Sequence, residues 1–448
     1  MASEVEPTEE PAAPHPDAAP TRVIVVGGGI AGLVMARELA LGNVRVILLE
    51  ASDRLGGTVT HHSVGGILLD AGAESFANRG GTVAALATDL GLASEIEQPR
   101  PAGAWLWAAG IARPLPATSV LGIPASPLAQ DVIDVIGMRG ALRAFLGDAL
   151  LPATVGAKEA TLGGLVRRRM GTRLLEGLVT PVAGGVHSLH PDSLDLDRVA
   201  PGLRTALQRE GSLARAVGSL RAAAPAGSAV SGIRGGIHRL VDELAADLER
   251  FGVDVRLGAR ATRIEPGSVT VDGEVLEGSV VVAAPGLVGN PLEGRRVVLA
   301  TLVVDVPALD AAPRGSGVLV AADPNGASNG TVSSGVRARA LTHATAKWHW
   351  LAERTGGAHV LRLSYDGDAD IPDLADQARA DAAALLGTDI PPSAVRDFAR
   401  VEWIRAAPSA AAVDGITMVG EAVAGTGLAS IIGHAQAQAA VLLGGDPG

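Results

Sequence analysis

A chain that runs from a short apolar strand straight into a glycine-rich turn and then a helix has few folds open to it. Thr21 to Val26 (TRVIVV) leads into Gly27-Gly28-Gly29-Ile30-Ala31-Gly32, then a helical stretch, LVMARELA, then a second apolar strand, VRVILL, ending at Glu50. Each part has a physical task in holding a dinucleotide. Gly27 makes the tight turn out of the strand, Gly29 lets the backbone approach a pyrophosphate, and Gly32 lets the helix pack closely. The helix start at Ile30 and Ala31 turns its free N–H groups and its dipole toward the phosphates. Glu50, eighteen residues past Gly32, stands where a carboxylate accepts hydrogen bonds from ribose hydroxyls and disfavours a 2′-phosphate. A glycine turn alone is a weak signal in a chain with 58 glycines. Strand, turn, helix, strand and acid in that order point to a Rossmann-like domain.

At 448 residues the chain is longer than one hydrophobic core usually serves, so two or three lobes are expected. The net charge of −11, without a run of Lys or Arg, argues against a nucleic-acid partner. There is no cysteine, which excludes disulfides, thiolate metal sites and a cysteinyl flavin link. No metal-ligand constellation is visible, so no metal is expected. Residues 1–20 are rich in Pro, Ala and Glu and read as a disordered tail. They lack the basic start and apolar stretch of a secretion signal, and no apolar run is long enough to span a bilayer. The expectation is a cytoplasmic protein, with peripheral membrane contact left open.

Past Glu50 the chain reads Ala51-Ser52-Asp53-Arg54-Leu55-Gly56-Gly57-Thr58. This resembles the FAD-binding motif of the flavin amine oxidase superfamily, which implies that Arg54 lies near the diphosphate and that Gly57 and Thr58 pass the phosphates again. Asp70-Ala71-Gly72-Ala73-Glu74 is similar to the superfamily turn beside the isoalloxazine. Near the far end, the strand Ile416 to Val419 precedes Gly420-Glu421 and Gly425-Thr426-Gly427-Leu428, which opens a last helix. The resemblance implies that Glu421 approaches the ribitol, and that the helix start at Thr426, Gly427 and Leu428 faces the flavin pyrimidine, its dipole favouring negative charge there. The implied cofactor is non-covalent FAD.

Two central segments narrow the resemblance. Thr180-Pro181-Val182-Ala183-Gly184-Gly185-Val186-His187-Ser188 and Ile233-Arg234-Gly235-Gly236-Ile237-His238 are similar to segments of the bacterial oxygen-dependent coproporphyrinogen III and protoporphyrinogen oxidases, with the coproporphyrinogen-oxidising kind the nearer. Ala261 stands where that family contacts adenine. Val280 to Pro285, Gly315 to Ala321, Leu341 to Trp350 and Leu361 to Tyr365 extend the pattern. The implied fold is α/β and α+β in three parts: an FAD-binding domain (21–80, 231–290 and 405–445), a mixed-sheet substrate domain (81–104 and 291–404) and a helical insertion (105–230). The implied reaction oxidises coproporphyrinogen III to coproporphyrin III in haem biosynthesis. Hydride leaves a meso carbon for flavin N5, a pyrrole proton is lost, and oxygen takes the electrons to give hydrogen peroxide. Other haem-pathway enzymes are conceivable partners.

No obligatory acid or base is visible in the sequence. His187, His343 and Lys347 are the candidates, although a lone histidine more often has a structural role. Arg167, Arg168 and Arg169 suit substrate carboxylates, with a solvated helix face as the plainer reading. The stretches DVIDVIGMRGALRAFLGDALL and LGGLVRRRMGTRLLEGLV have apolar residues at helical spacing and favour core packing over a membrane face. The chain departs from the family pattern between Pro408 and Thr417 and between Ala283 and Val298, both short, and at Glu421 and Ala435. Three alternatives stay open: protoporphyrinogen oxidation, another flavin oxidase, and a non-catalytic FAD- or porphyrin-binding protein. An amine oxidase is disfavoured because Glu421 to Leu428 contains no aromatic to cage an amine.

Overall fold

A computed structural model describes residues 22–444, apart from residues 79, 109, 117, 157 and 188 and the stretches 224–229, 285–293, 322–334, 368–370 and 407–412. The N-terminal tail, Pro285 and Pro408 therefore lie outside the described residues.

The first lobe is built on a five-stranded parallel sheet. Its order is Asp254–Arg256, Arg45–Leu49, Arg22–Val26, Ser279–Val282, Ile416–Met418. The strands read as continuous Val, Ile and Leu because both faces are covered. Alternate residues divide between them. Val23, Val25, Val46, Leu48 and Val281 meet the helices Ile30–Leu41, Arg239–Arg250 and Leu428–Leu442. Ile24, Val26, Ile47, Leu49, Val280 and Val282 meet a small antiparallel sheet, Ala261–Glu265, Ser268–Val271 and Glu274–Glu277. The first helix is apolar on every side because it is wedged between the sheet and two other helices. Its one buried cation, Arg37, is held by Asp247 at 2.8 Å.

The second lobe is a seven-stranded mixed sheet. Its order is Val395–Ala406, Gly294–Val304, His359–Asp366, Ala340–His343, Gly317–Val320, Trp105–Ala108, Ile111–Pro114. One face is covered by the helix Leu374–Leu386. The other carries Val303, Val360, Trp348 and Trp350 against Val64 and Leu69 of the hairpin His61–Val64 and Ile67–Asp70. The third part is helical, with its own core. It contains Gln130–Leu150, kinked at Gly137 (φ 72°), and Leu162–Met170, Thr180–His187, Leu203–Glu210 and Leu213–Ala223.

Two expected boundaries shift. Residues 105–114 belong to the seven-stranded sheet, where Trp105 pairs with Val318, so the helical part begins at Gln130 rather than at 105. The helix Thr82–Asp89, expected in the substrate domain, sends Val83, Leu86 and Ala87 into the core of the first lobe. Both shifts depend on long-range packing that local patterning does not register.

The run Arg167-Arg168-Arg169 is not a uniformly solvated face. Arg169 is fully buried on Asp148 at 2.7 Å, Arg167 pairs with Asp192 at 2.6 Å and Arg168 lies 3.6 Å from Glu159. Successive residues on a helix point about 100° apart, so three adjacent arginines cannot share one environment.

Candidate active site: a glycine cradle and the seam beside it

The cradle forms where the parallel strands end. Gly27 donates to the Leu49 carbonyl (2.8 Å) at φ 108°, and a Cβ there would lie 2.8 Å from the Ala284 nitrogen. Gly32 is required for a reason more local than helix-to-sheet packing: its Cβ would lie 1.9 Å from the Gly27 carbonyl oxygen. Gly29, which precedes the helix, has no atom within 4 Å of its would-be Cβ. No side chain caps this helix start, so the first-turn N–H groups at Ile30 and Ala31 stay available to an anion. Glu50 braces the loop. Its Oε2 accepts from the Gly28 N–H (2.7 Å) and its Oε1 from the Ser52 N–H (2.8 Å) and hydroxyl (2.7 Å), leaving lone pairs for hydroxyl donors.

The second glycine pair lies against the first. Gly56 donates to the Gly28 carbonyl (2.8 Å), and a Cβ on Gly57 would lie 3.3 Å from the Gly29 Cα. Ala51 and Arg54 are exposed, and Arg54 reaches the Gly57 carbonyl at 3.1 Å. Gly258 and Ala259 donate to the Ser52 and Glu50 carbonyls (both 2.8 Å), which brings the strand opening at Ala261 to the Glu50 end. Thr58 leads onward to the next turn, where a Cβ on Gly72 would sit 1.7 Å from the Thr58 carbonyl. Gly27, Gly29, Gly57 and Gly72 thus line one run of closely apposed backbone. Open backbone at Gly29 and uncapped N–H groups fit a pyrophosphate, so the residues present suit FAD.

The turn after the hairpin is where the two lobes meet. Asp70 does not stand free beside a ligand: its carboxylate accepts from the Ile237 N–H (2.9 Å), the His238 N–H (3.0 Å) and His238 Nδ1 (2.9 Å). The Ala71 carbonyl accepts from Trp403 Nε1 (2.8 Å), and the Gly72 carbonyl from Arg362. Beyond Ala73, Glu74 pairs with Lys347 at 2.6 Å and lies 3.8 Å from Arg362. Burial opposes ionisation of Glu74, but Lys347 and Arg362 outweigh it and hold the carboxyl below its usual range. A cavity of about 30 Å³, bordered by Asp70, Glu74, Arg362 and Trp348, opens here. It has room for a water molecule or so and none for a large substrate.

At the returning end, Glu421 opens a short helix, Glu421–Ala424, and is paired with Arg405 (Nε 2.9 Å, Nη2 2.7 Å). Burial pushes its carboxyl up, against the pull of Arg405. Thr426 and Gly427 (φ 100°) precede Leu428, the first residue of the helix Leu428–Leu442. Its parent strand, Ile416–Met418, lies beside Ser279–Val282, one strand away from Arg22–Val26.

The catalytic candidates separate. Lys347 is at the seam. His343 is fully buried, with Nε2 3.0 Å from His359 Nδ1, and burial together with His359 pushes its pKa down to about 4, so it stays neutral. It is a packing residue of the second sheet. His187 closes the helix Thr180–His187, and its side chain lies outside the described residues. In that segment a Cβ on Gly185 would meet the Leu319 side chain at 2.7 Å, whereas one on Gly184 would have only an ordinary contact at 3.8 Å. Sequence reasoning missed Arg362, Trp403, His238 and Arg405 as site residues. The visible trace of Arg362 is one charge in an apolar strand, VLRLSY. His238 lay in a segment already singled out, without a role attached to it, and Trp403 and Arg405 left no local mark.

A parallel sheet, a double glycine cradle at its strand ends and a returning strand–helix unit define a dinucleotide-binding flavoprotein. Residues 30–303 match the family described as flavin containing amine oxidoreductase. Among relatives, coproporphyrinogen III oxidase of Mycobacterium tuberculosis is 30% identical over 422 residues, which cover 87% of this chain and 87% of that protein. Coproporphyrinogen III oxidase of Propionibacterium freudenreichii is 28% identical over 313 residues, 62% of this chain and 59% of that protein. A solved structure from Exiguobacterium sp. 255-15, provisionally designated a protoporphyrinogen oxidase, is similar at TM-score 0.77 and 21% identity over 94% of this chain and 98% of that one. Cyclohexylamine oxidase from Brevibacterium oxydans shares the fold at TM-score 0.64 and 17% identity, over 95% of this chain and 99% of that one. The chain belongs to the flavin-containing amine oxidoreductase family. It is an FAD-dependent oxidoreductase.

Proposed function

We propose that this chain oxidises coproporphyrinogen III to coproporphyrin III, with oxygen as acceptor and hydrogen peroxide as product, in haem biosynthesis. The observation that carries the reading is the likeness over 87% of the chain to a protein named coproporphyrinogen III oxidase. Protoporphyrinogen oxidase 1 of Arabidopsis thaliana is less alike, at 26% identity over 60% of this chain and 52% of that protein. Bound FAD supplies the hydride acceptor and the route of electrons to oxygen.

The chain's own residues supply position. The first-turn N–H groups at Ile30 and Ala31, with Gly27, Gly28, Gly29, Gly32, Gly57, Thr58 and Arg54, receive the diphosphate. Glu50, Ala51 and Ala261 receive the adenosine end, and the turn from Asp70 to Ala73 lies along the ring system. Glu421, Thr426, Gly427 and Leu428 close the ribitol and pyrimidine side. Asp70 serves that site as a strut, through the hydrogen bonds that fix the His238 turn.

Aerobic turnover of coproporphyrinogen III and of protoporphyrinogen IX, followed by porphyrin fluorescence on FAD-loaded protein, tests the reading. Rapid colour from the four-propionate substrate supports it. Preference for the two-propionate substrate moves it to protoporphyrinogen oxidation, and flavin-loaded protein inert toward both removes it.

Among the described residues no helix is long and apolar enough to cross a membrane. The exposed Met138, Leu142, Phe145, Leu146 and Leu150 form an apolar stripe on one helix, and Arg139, Arg143 and Arg173 line a groove beside it. That combination supports peripheral contact with an anionic membrane face. Co-sedimentation with anionic but not neutral vesicles is the expected outcome, and equal loss of both pellets would discard it.

A further inference from the structure

The seam gathers partly buried charges from both lobes. Lys347 comes from the short helix Ala344–Lys347, Arg362 from the strand His359–Asp366, and Glu74 from the turn of the other lobe. Their side chains are only 15%, 13% and 19% exposed, so their charges are weakly screened. Glu74 faces both cations, and a second carboxylate, Asp70, borders the same cavity. Asp70 accepts from the His238 turn and keeps its negative charge, so two cations are set against two carboxylates here. His62 also borders the cluster, and burial first and then Arg362 keep it from protonating easily, so it adds no further positive charge.

The cluster is continuous with the cofactor cradle. Gly29 touches Gly57, the Thr58 carbonyl is covered by Gly72, and Glu74 stands two residues beyond. Arg362 also donates to the Gly72 carbonyl, so the cation that balances Glu74 holds the same turn by its backbone. Lys347 is oriented independently: its carbonyl accepts from the Arg100 N–H (2.8 Å) and its Nζ lies 5.0 Å from the Trp348 ring centre. Trp348 in turn fills the space that a side chain at Gly232 would need, 2.8 Å from the would-be Cβ.

We propose that Lys347 is a positioning residue of the flavin site: through Glu74 it fixes the 70–74 turn, and with Arg362 it supplies the positive charge that offsets the carboxylates there and so favours the reduced, anionic flavin. The inference rests on FAD lying along this turn, as set out under the proposed function, and is independent of which substrate is oxidised. Two neutralising substitutions move this charge in opposite directions. Lys347→Met removes one positive charge from the cluster, whereas Glu74→Gln removes one negative charge.

The test is the midpoint potential of FAD in the loaded wild type, Lys347→Met, Lys347→Arg and Glu74→Gln, with the FAD dissociation constant and the thermal midpoint measured alongside. Lys347→Met is expected to disfavour reduction about tenfold, a fall of about 30 mV for a two-electron couple. Glu74→Gln is expected to raise the potential by a similar amount, and Lys347→Arg to stay near wild type. A purely structural clamp would weaken FAD binding in both neutral variants and shift their potentials together or not at all; that result overturns the proposal. Should Lys347→Met fail to fold, an unchanged or lowered potential in the near-isosteric Glu74→Gln overturns it equally. Because no porphyrinogen is used, opposite shifts in a protein inert toward porphyrinogens would remove the substrate reading and leave this one intact.

Discussion

Two ion clusters in this molecule use the same chemistry for different ends. In the helical part, Arg169 donates to Asp148 Oδ1 (2.7 Å) and to the carbonyls of Asp148, Leu151, Pro152, Val155 and Gly211. Asp148 also accepts from the Ser212 hydroxyl (2.7 Å) and from the Leu213 and Ala214 N–H groups (both 2.8 Å), capping the helix Leu213–Ala223. Charge is balanced and the donors are met. At the seam, Glu74 faces both Lys347 and Arg362, with a cavity alongside. A fully bonded, enclosed pair fixes structure, whereas charges that border a cavity also act on whatever lies beside it.

The largest expected effect would break the first cluster. Arg169→Met leaves Asp148 buried with its charge uncompensated, and unfolding should become easier by about 3–5 kcal/mol, read from chemical denaturation. A loss below about 1 kcal/mol would mean the hub is not the staple described here.

His343 sharpens the comparison because it is buried in the second lobe without a facing acid of its own. Its folded pKa is depressed, so the unfolded chain takes up the proton first. Stability should therefore be complete above pH 6.5 and fall as the pH drops from 6.5 to about 4, by on the order of 3 kcal/mol at most. The thermal midpoint of His343→Asn should lose most of that dependence between those limits. An unchanged acid slope would place it elsewhere, and His359, also depressed by burial, is the next group to test.

The smallest effect belongs to the seam. Arg362→Met removes the donor to the Gly72 carbonyl and one cation, but Lys347 still compensates Glu74. Stability should fall by about 1–2 kcal/mol, and FAD should bind more weakly because the turn is released. Equal stability and unchanged FAD affinity would show that the turn is held without it.

Local sequence made the cradle legible because its determinants are near neighbours. Gly32 and Glu50 act on the backbone of the same strand–turn–helix–strand unit, so each leaves a fixed spacing, whereas the close approach of Gly27 to Ala284 spans most of the chain. Gly72 belongs to the same class, although its partner, Thr58, became clear only in three dimensions. The resemblance placed Asp70 in the turn beside the flavin but did not say what its carboxylate bonds to. Its hydrogen-bond partners, Ile237 and His238, lie far along the chain, and no spacing connects them. The arginine run misled for a similar reason: a helix sends three neighbours to three environments.

By itself the sequence determined the α/β dinucleotide-binding lobe, the FAD requirement and the family, because strand, turn, helix and acid are specified by short-range sterics and hydrogen bonding. Tertiary structure decided the lobe boundaries, the assignment of Trp105 and Ile111 to the second sheet, and the burial of Arg169 and His343. It also decided the meeting of Glu74 with Lys347 and Arg362, residues more than 250 positions apart along the chain. Burial and charge compensation are set by what packs against a residue, and the packing partner at each of these positions comes from another lobe or a distant strand.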